Sequence, residues 1–259
     1  MSLHRTLVDV VIPVYGQVEL LTRCLAALGT RDDVAIFVVD DASPDRKAVE
    51  AVCKGENVRY YRNHANAGFA ATCNRGANKG SAPLILFLNS DCILEWNAID
   101  EMCKEMDDPM VGAVGPLLTF PMDGKMGPGG KVQHAGMAFD IKGKPFHVHI
   151  GWDASHPRVA TRKEMNCVTG SCMLTRRRTF KYIGGFSEAY GRGTFEDVEY
   201  CLNVKACKLK VVYTPKARAE HYVGSSIIAE GKGFPLRQNF EIFKLRNQGR
   251  ILWDEYLYW

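Results

Sequence analysis

Short apolar runs alternate with amphipathic stretches along the first half of the chain. VDVVIPVYG, residues 8–16, is a near-continuous apolar run that stops at Pro13 and Gly16, the pattern of a buried strand and its exit loop. In QVELLTRCLAALG, residues Leu21, Cys24, Leu25 and Leu28 recur at helical spacing, and Gly29 ends the pattern. VAIFVVDD predicts a second strand over Val34 to Val39, and Ser43-Pro44-Asp45 predicts a helix start with a capping hydroxyl before a proline. VRYY, LILFL and VGAVGP read as further strands, and GFAATCNRGANKG as a helix of small residues. Such alternation with short links predicts right-handed crossovers and a mostly parallel sheet.

The second half is less regular. Residues 120 to 165 are rich in Gly, His, Pro and Lys and predict loops with short strands; His147 and His149 alternate as two polar residues on one strand face. GSCMLTRRRTFKYIGGF predicts a strand and a helix ending at Gly184-Gly185, and FEDVEYCLNVKACKL predicts a helix. VVYTP predicts a strand ending at Pro215, and FEIFKLRNQGRILWDEYLYW a final helix. The Arg176-Arg177-Arg178 run reads as a solvated helix start in which one arginine meets something specific. No internal repeat or linker divides the chain. One domain over 1–259 is expected, in two halves (1–115 and 116–259).

In open α/β sheets, ligands bind beyond the carboxyl ends of the strands. Three such ends carry chemistry: Pro13-Val14-Tyr15, Asp40-Asp41 and Asn89-Ser90-Asp91. Asn89 and Asp91 are two apart on an extended segment, so they present oxygens toward one point. That suits a hard cation or a ligand's hydroxyls. No glycine-rich dinucleotide fingerprint follows the first strand, and no Walker loop occurs.

Composition narrows the field. A hydrophobic share of 46% and a charged share of 24% are those of an ordinary globular protein. A net charge of +4 is too mild to argue for nucleic acid but suits an anionic ligand. No apolar run reaches the roughly 20 residues of a membrane span. The N-terminal residues lack a signal-peptide layout, so a cytoplasmic location is expected, with peripheral attachment at the inner face of a membrane left open. The nine cysteines include no C-x-x-C pair and read as reduced core residues rather than a zinc site. The closing aromatics Trp253, Tyr256, Tyr258 and Trp259 suit a membrane interface or packing against the domain.

Seven segments occur in order: VVIPVYG, VVDDASPD, NHANAGFAATCNRG, FLNSD, TGSCMLTRR, IGGFSEAYGRGTFEDVEYCL and TPKARAEH. Together they resemble an inverting family 2 glycosyltransferase over roughly residues 8 to 250. VQHAG and FHVHIGW resemble the O-antigen and cell-surface polysaccharide branch. The resemblance implies a Rossmann-like nucleotide-diphospho-sugar transferase fold of the GT-A type, α/β, with a mostly parallel central sheet flanked by helices. It implies a donor that is a sugar nucleotide, UDP first with dTDP and GDP open. The acceptor is a glycan, a lipid-linked species or a protein. Pro13, Val14 and Tyr15 then form a loop over the base, and Asp40 and Asp41 accept from it. Asn66, Gly68 and Asn74 shape the loop and helix beside the nucleotide.

FLNSD sits where the family carries a D-x-D metal motif, with Asn89 in place of the first aspartate. The resemblance makes Asp91 a ligand of Mn2+ or Mg2+, places Asn89 and Ser90 on the ribose or sugar, and lets His221 complete the metal site. Asp197, beside Glu196, becomes the base that deprotonates the acceptor. Gly184, Gly185 and Phe186 shape the acceptor pocket, and Arg246 and Asn247 lie near the active site. A pyrophosphorylase would need a G-x-G-T-R type loop where this chain has IPVYGQ. A non-catalytic nucleotide-sugar or glycan-binding module is the alternative, invited by Asn89 alone.

Overall fold

The computed structural model describes residues 6–55, 57–123, 127–222 and 235–258. In chain order the strands are β1 (Val8–Val14), β2 (Val34–Asp40), β3 (Val58–Arg62), β4 (Leu84–Leu88), β5 (Cys92–Leu94), β6 (Val111–Thr119), β7 (Val132–His134), β8 (Met137–Phe139), β9 (Pro145–His147), β10 (Lys163–Met165), β11 (Cys172–Arg176) and β12 (Lys210–His221). The helices are α1 (Val18–Leu28), α2 (Arg46–Val52), α3 (Phe69–Ala77), α4 (Ala98–Glu105), α5 (Arg177–Ile183), α6 (Glu196–Ala206) and α7 (Leu236–Arg246).

Among the described residues one ten-stranded sheet runs in the order β10-β12-β6-β11-β4-β1-β2-β3, with β5 on β12 and β7 on β6. β1 lies between β2 and β4, both parallel to it, and β3 extends that order in parallel. Beyond β4, parallel pairing among the described residues returns only between β6 and β12. β11 runs antiparallel to both β4 and β6, and β10, β5 and β7 are antiparallel to their neighbours. The sheet is therefore mixed, because the strand–helix alternation that dictates parallel crossovers belongs to the first half of the chain.

Successive residues of a strand face opposite sides. Val8, Val10, Ile12 and Val14 of β1 pack under Leu21, Cys24 and Leu28 of α1 and Met102 of α4. Val11 lies on the other face, with Phe37, Ile85 and Phe87, against Ala70 and Cys73 of α3, Phe180 of α5 and Val198 of α6. A third core joins Leu117, Val132, Met165, Tyr213 and Tyr258 under the second half. Tyr258 thus packs inward; Met1-Ser2-Leu3, Trp259 and the Tyr256 side chain lie outside the described residues.

Four local expectations change. α2 starts at Arg46, capped by the Asp45 carboxylate accepting from Ala48 N at 3.0 Å. Ser43 instead ties two strand exits, its Oγ accepting from Gly16 N at 2.8 Å. β12 does not stop at Pro215 but runs on to His221 through a register shift between Thr214 and Arg218; a proline without an N–H is tolerated at such an irregularity. The last helix ends at Arg246, and Gly249 just beyond it adopts φ +77°. His149 does not share a strand face with His147: it follows β9 with φ +59° and is buried against Trp152, ring centroids 4.4 Å apart.

The arginine run is mostly structural rather than solvated. Arg176 donates to the carbonyls of Val111, Met106 and Asp108. Arg177 is buried, pairs with buried Asp9, and donates to the carbonyls of Ala77 and Ala82. Asp9 also accepts from Ala82 N at 2.9 Å. This pair ties β1 at the middle of the sheet to the start of α5. Removing one member leaves the other charge buried and alone. Arg177→Met is expected to cost about 3–5 kcal/mol in urea unfolding; a loss below about 1 kcal/mol would show that the pair does not secure this junction.

Candidate active site

β4 is buried along its whole length and delivers Asn89, Ser90 and Asp91 at its carboxyl end. Immediately afterwards β5 pairs antiparallel with the end of β12, placing Cys92 opposite His221. That pairing brings His221 Nε2 to 3.2 Å from Asp91 Oδ1 and 3.4 Å from Asn89 Nδ2. Asp91, Ser90 and His221 are all buried.

Gln133 fixes how His221 presents itself. Its Nε2 donates to the His221 carbonyl at 2.8 Å, so its Oε1 faces His221 Nδ1 at 2.7 Å. An amide oxygen only accepts, so Nδ1 carries a proton. Neutral His221 therefore turns its Nε2 lone pair toward the Asp91 carboxylate. Two acceptors face each other unless a proton or a cation lies between them. Asn89 Oδ1 is buried and has no hydrogen-bond partner among the described residues. A carboxylate, an imidazole nitrogen held by a neighbour's hydrogen bond, and an amide oxygen form a donor set that fits a divalent cation. Gln133 went unrecognised in the sequence because a lone glutamine in VQHAG carries no spacing signal.

Glu196 and Asp197 open α6, directly after Thr194 at φ +87° and Phe195 at φ +70°. Left-handed backbone at two consecutive non-glycine residues is strained and concentrates at functional sites. The two carboxylates receive different surroundings. Asp197 is half-buried; its Oδ2 accepts from Gly170 N and its Oδ1 from Val198 N, both at 2.8 Å. Burial raises its pKa, and those amide hydrogen bonds oppose the rise. Glu196 is buried, and its Oε2 has no hydrogen-bond partner among the described residues. Burial first, and the Asp197 charge second, push it up to about 8. Asp197 is thus the more exposed member of the pair and Glu196 the more buried.

The nucleotide-side residues divide by what already engages them. Asp40 is fully buried; it accepts from Ser43 N at 2.7 Å and Tyr60 Oη at 2.7 Å, and pairs with Arg62. Asp41 accepts from Asn63 Nδ2 at 2.7 Å, Ala67 N at 2.8 Å and Gly68 N at 2.9 Å. A carboxylate offers about four acceptor positions, and three on each of these are already taken. Their main visible work is to fold the loops after β2 and β3 onto each other. Asn74 holds a loop as well: Phe186 N donates to its Oδ1 at 2.9 Å, and its Nδ2 reaches the Phe186 carbonyl at 2.9 Å. This fastens the Gly184-Gly185-Phe186 turn to α3.

Gly68, at φ +86°, sits where a Cβ would lie 2.2 Å from the Gly191 carbonyl, so its lack of a side chain permits close backbone packing. Pro13 and Tyr15 are half-buried and Val14 buried at the end of β1, while Asn66 is exposed. Arg246 and Asn247 both hold Glu199, with Arg246 Nη2 at 2.8 Å and Asn247 Nδ2 at 3.3 Å. Tyr190 donates to the same carboxylate. Glu199 was not singled out in the sequence, because its partners lie 47 and 48 residues away.

Comparison with known proteins agrees with the geometry. The family model described as Glycosyl transferase family 2 matches residues 9–184, more than half of the chain. The chain is 32% identical over 166 residues to the O-antigen biosynthesis protein RfbC of Myxococcus xanthus, covering 61% of this chain and 12% of that protein. It is 28% identical over 239 residues to the N-acetylglucosaminyl-diphospho-decaprenol L-rhamnosyltransferase of Mycobacterium tuberculosis, covering 84% of this chain and 76% of that one. The chain thus spans about an eighth of the first relative's length and about three quarters of the second's. The fold matches GalNAc-T7, solved with UDP, GalNAc and Mn2+, at a TM-score of 0.67 and 17% identity, covering 83% of this chain and 43% of that one. This is the GT-A fold.

Glu196 gives a test of the carboxylate pair through stability. The unfolded chain releases this proton near 4.5, whereas the folded protein keeps it up to about 8. Between those values the folded state binds more protons, so stability falls as pH rises through the interval. Glu196→Gln removes that loss. Wild type and variant are expected to be about equally stable near pH 5, with the variant ahead by about 2–4 kcal/mol at pH 8. Thermal unfolding across that range checks it; a difference that does not widen with pH would refute the buried-acid assignment.

Proposed function

Because the chain belongs to glycosyl transferase family 2, we propose that it moves a sugar from a nucleotide-diphosphate donor to an acceptor hydroxyl, with inversion, in polysaccharide or glycoconjugate synthesis. The observation that carries this reading is the meeting of Asn89, Asp91 and His221 at one point, with Asp197 held by Gly170 N, next to the Ser171 whose carbonyl accepts from Asn89 N. The first half supplies Asn89 and Asp91, the second half Gln133, Asp197 and His221. The two halves therefore act as one domain.

Asp91 and His221 would hold Mn2+ or Mg2+, and a cation there offsets charge on the departing diphosphate. Gln133 keeps the His221 Nε2 lone pair available for that bond. Asp197 takes the proton from the acceptor hydroxyl. Its burial moves its pKa toward the range in which a general base works, while the Gly170 and Val198 amides keep the carboxylate oriented. The acceptor oxygen then attacks the anomeric carbon from the side away from the nucleotide, and a single displacement inverts the configuration. Adjacent Glu196 holds a proton and keeps a second negative charge away from the base. Asp41, Gly68 and Asn74 hold the loops that shape the nucleotide side; Pro13, Val14, Tyr15, Asn66 and Ser90 border it.

UDP is the first nucleotide to try, since GalNAc-T7 was solved with UDP and Mn2+. The relative that acts on a diphospho-decaprenol acceptor supports a lipid-linked glycan here. No helix among the described residues is long and apolar enough to cross a membrane.

Calorimetric titration with UDP, with and without Mn2+, is expected to give tighter binding with the metal and to lose that gain in Asp91→Ala. Asp197→Asn is expected to bind UDP as wild type does while transfer falls about 10²- to 10⁴-fold, the usual scale for a lost general base. Metal-independent binding in wild type would remove Asp91 from the cation, and full turnover in Asp197→Asn would remove Asp197 as the base.

A further inference from the structure

His134 and His147 form a pair that the mechanism above does not use. Their Nδ1 atoms lie 2.8 Å apart, and the rings meet edge to face with centroids 4.9 Å apart. His134 is fully buried on β7, next to the Gln133 that orients His221. His147 ends β9 and is half-buried. Two nitrogens at this distance share one proton, and the surroundings of His134 decide which ring owns it. Thr169 N points its hydrogen at His134 Nε2, at 3.5 Å. An imidazole nitrogen that accepts carries no proton, so the His134 proton sits on Nδ1 and is donated to His147 Nδ1. The His147 proton is then on Nε2.

Among the described residues His147 Nε2 has no hydrogen-bond partner, and it is not among the buried polar atoms that lack one. On this half-buried residue that N–H is a donor left unused at the end of a fixed chain. Burial pushes the His134 pKa well down and that of His147 down to about 4, so the pair stays neutral at physiological pH. Its chain neighbours place it beside the candidate site. Gln133, the residue before His134, bonds His221 through both ends of its amide. Thr169, which faces His134, precedes the Gly170 whose amide holds Asp197. His134 is therefore tied through Gln133 to the His221 side of the site and through Thr169 and Gly170 to the Asp197 side, and on the transferase reading the transferred sugar lies between those two sides. Packing alone would not call for a hydrogen-bonded imidazole pair, one ring fully buried, that leaves an N–H unused at its end.

We propose that His147 is a substrate-contacting residue, its Nε2–H donating a hydrogen bond to a hydroxyl of the transferred sugar, with His134 as the positioning residue that sets its tautomer. This rests on the transferase reading above. A neutral donor suits a hydroxyl better than a diphosphate, whose charge calls for a cation. A site built to bond one hydroxyl rejects sugars that lack it, so the contact selects the donor sugar rather than its nucleotide.

Two measurements test it. In long-range ¹H–¹⁵N spectra of histidine-labelled wild type near pH 7.5, His134 is expected as the Nδ1–H form and His147 as the Nε2–H form; the reverse assignment overturns the proposal. Calorimetry with Mn2+ then compares UDP with UDP-GlcNAc, GDP with GDP-mannose, and dTDP with dTDP-L-rhamnose. For a pair that wild type binds, His147→Phe is expected to weaken the sugar nucleotide about three- to tenfold, the scale of one neutral hydrogen bond, and to leave the parent nucleotide unchanged. His147→Gln, whose amide nitrogen reaches the position of the imidazole Nε2, is expected to restore most of the loss and guards against misfolding of the Phe variant. Equal effects on nucleotide and sugar nucleotide, or no effect on either, overturn the role of His147. Failure of wild type to bind any of the six compounds overturns the transferase reading itself, and the sugar contact with it.

Discussion

The site depends on the long, bulged strand β12. Residues Lys210 to Thr214 pair with the buried centre of β6, and the register shift lets the strand pass Pro215 and continue beside β6 through Glu220. Only that continuation carries His221 to β5, opposite Cys92 and within reach of Asp91. Without the extension, the end of β4 would hold a carboxylate and an amide with nothing facing them. A strand buried on both faces cannot host charge in its middle, so polar groups collect at strand ends. β12 joins two such ends, Asn89–Asp91 and His221, from distant parts of the chain.

The buried carboxylates fall into two physical classes. Asp9, Asp40, Asp41 and Glu199 are each met by an arginine or by several hydrogen-bond donors, and they brace β1, the loops after β2 and β3, and α6. Glu196 instead has its ionised form disfavoured by burial and an Oε2 with no hydrogen-bond partner, and no cationic side chain pairs with it or with the amide-held Asp197 among the described residues. A buried ionisable group without a counter-charge is costly, and its persistence points to chemistry rather than to folding. The sorting assigns structural work to several residues that sequence pattern had placed beside the nucleotide.

Strand and helix periodicity made the first half legible, because each buried strand there is a contiguous apolar run and each helix is amphipathic. Asn89 and Asp91 stood out as a polar interruption at the end of such a run, whereas Glu196, Asp197 and His221 became candidates only through the family resemblance. What the sequence left hidden is pairwise and distant. Gln133 meets His221 from 88 residues away, Asp9 meets Arg177 from 168, and Asn74 meets Phe186 from 112. No local pattern encodes such partners. The antiparallel insertion of β11 escaped for the same reason: a five-residue apolar strand looks alike whichever way its neighbours run.

The C-terminal helix α7 gains its meaning from the strained turn at Thr194 and Phe195. Left-handed residues cost of order 1–3 kcal/mol each and persist only where the surroundings over-determine them. α7 supplies that restraint. Asn239 Nδ2 donates to the carbonyls of Tyr190 and Gly193 and to Thr194 Oγ1, at 2.8–3.1 Å. The Phe195 ring stacks on Phe243, centroids 5.3 Å apart, and leans on Phe240 at 5.8 Å. At its far end Arg246, with Asn247 just beyond, closes on Glu199, one turn into α6. Both sides of the Glu196–Asp197 pair are thus fastened to one helix. The position of the candidate base is set not by α6 alone, which carries it, but also by α7, which grips the residues before and after it.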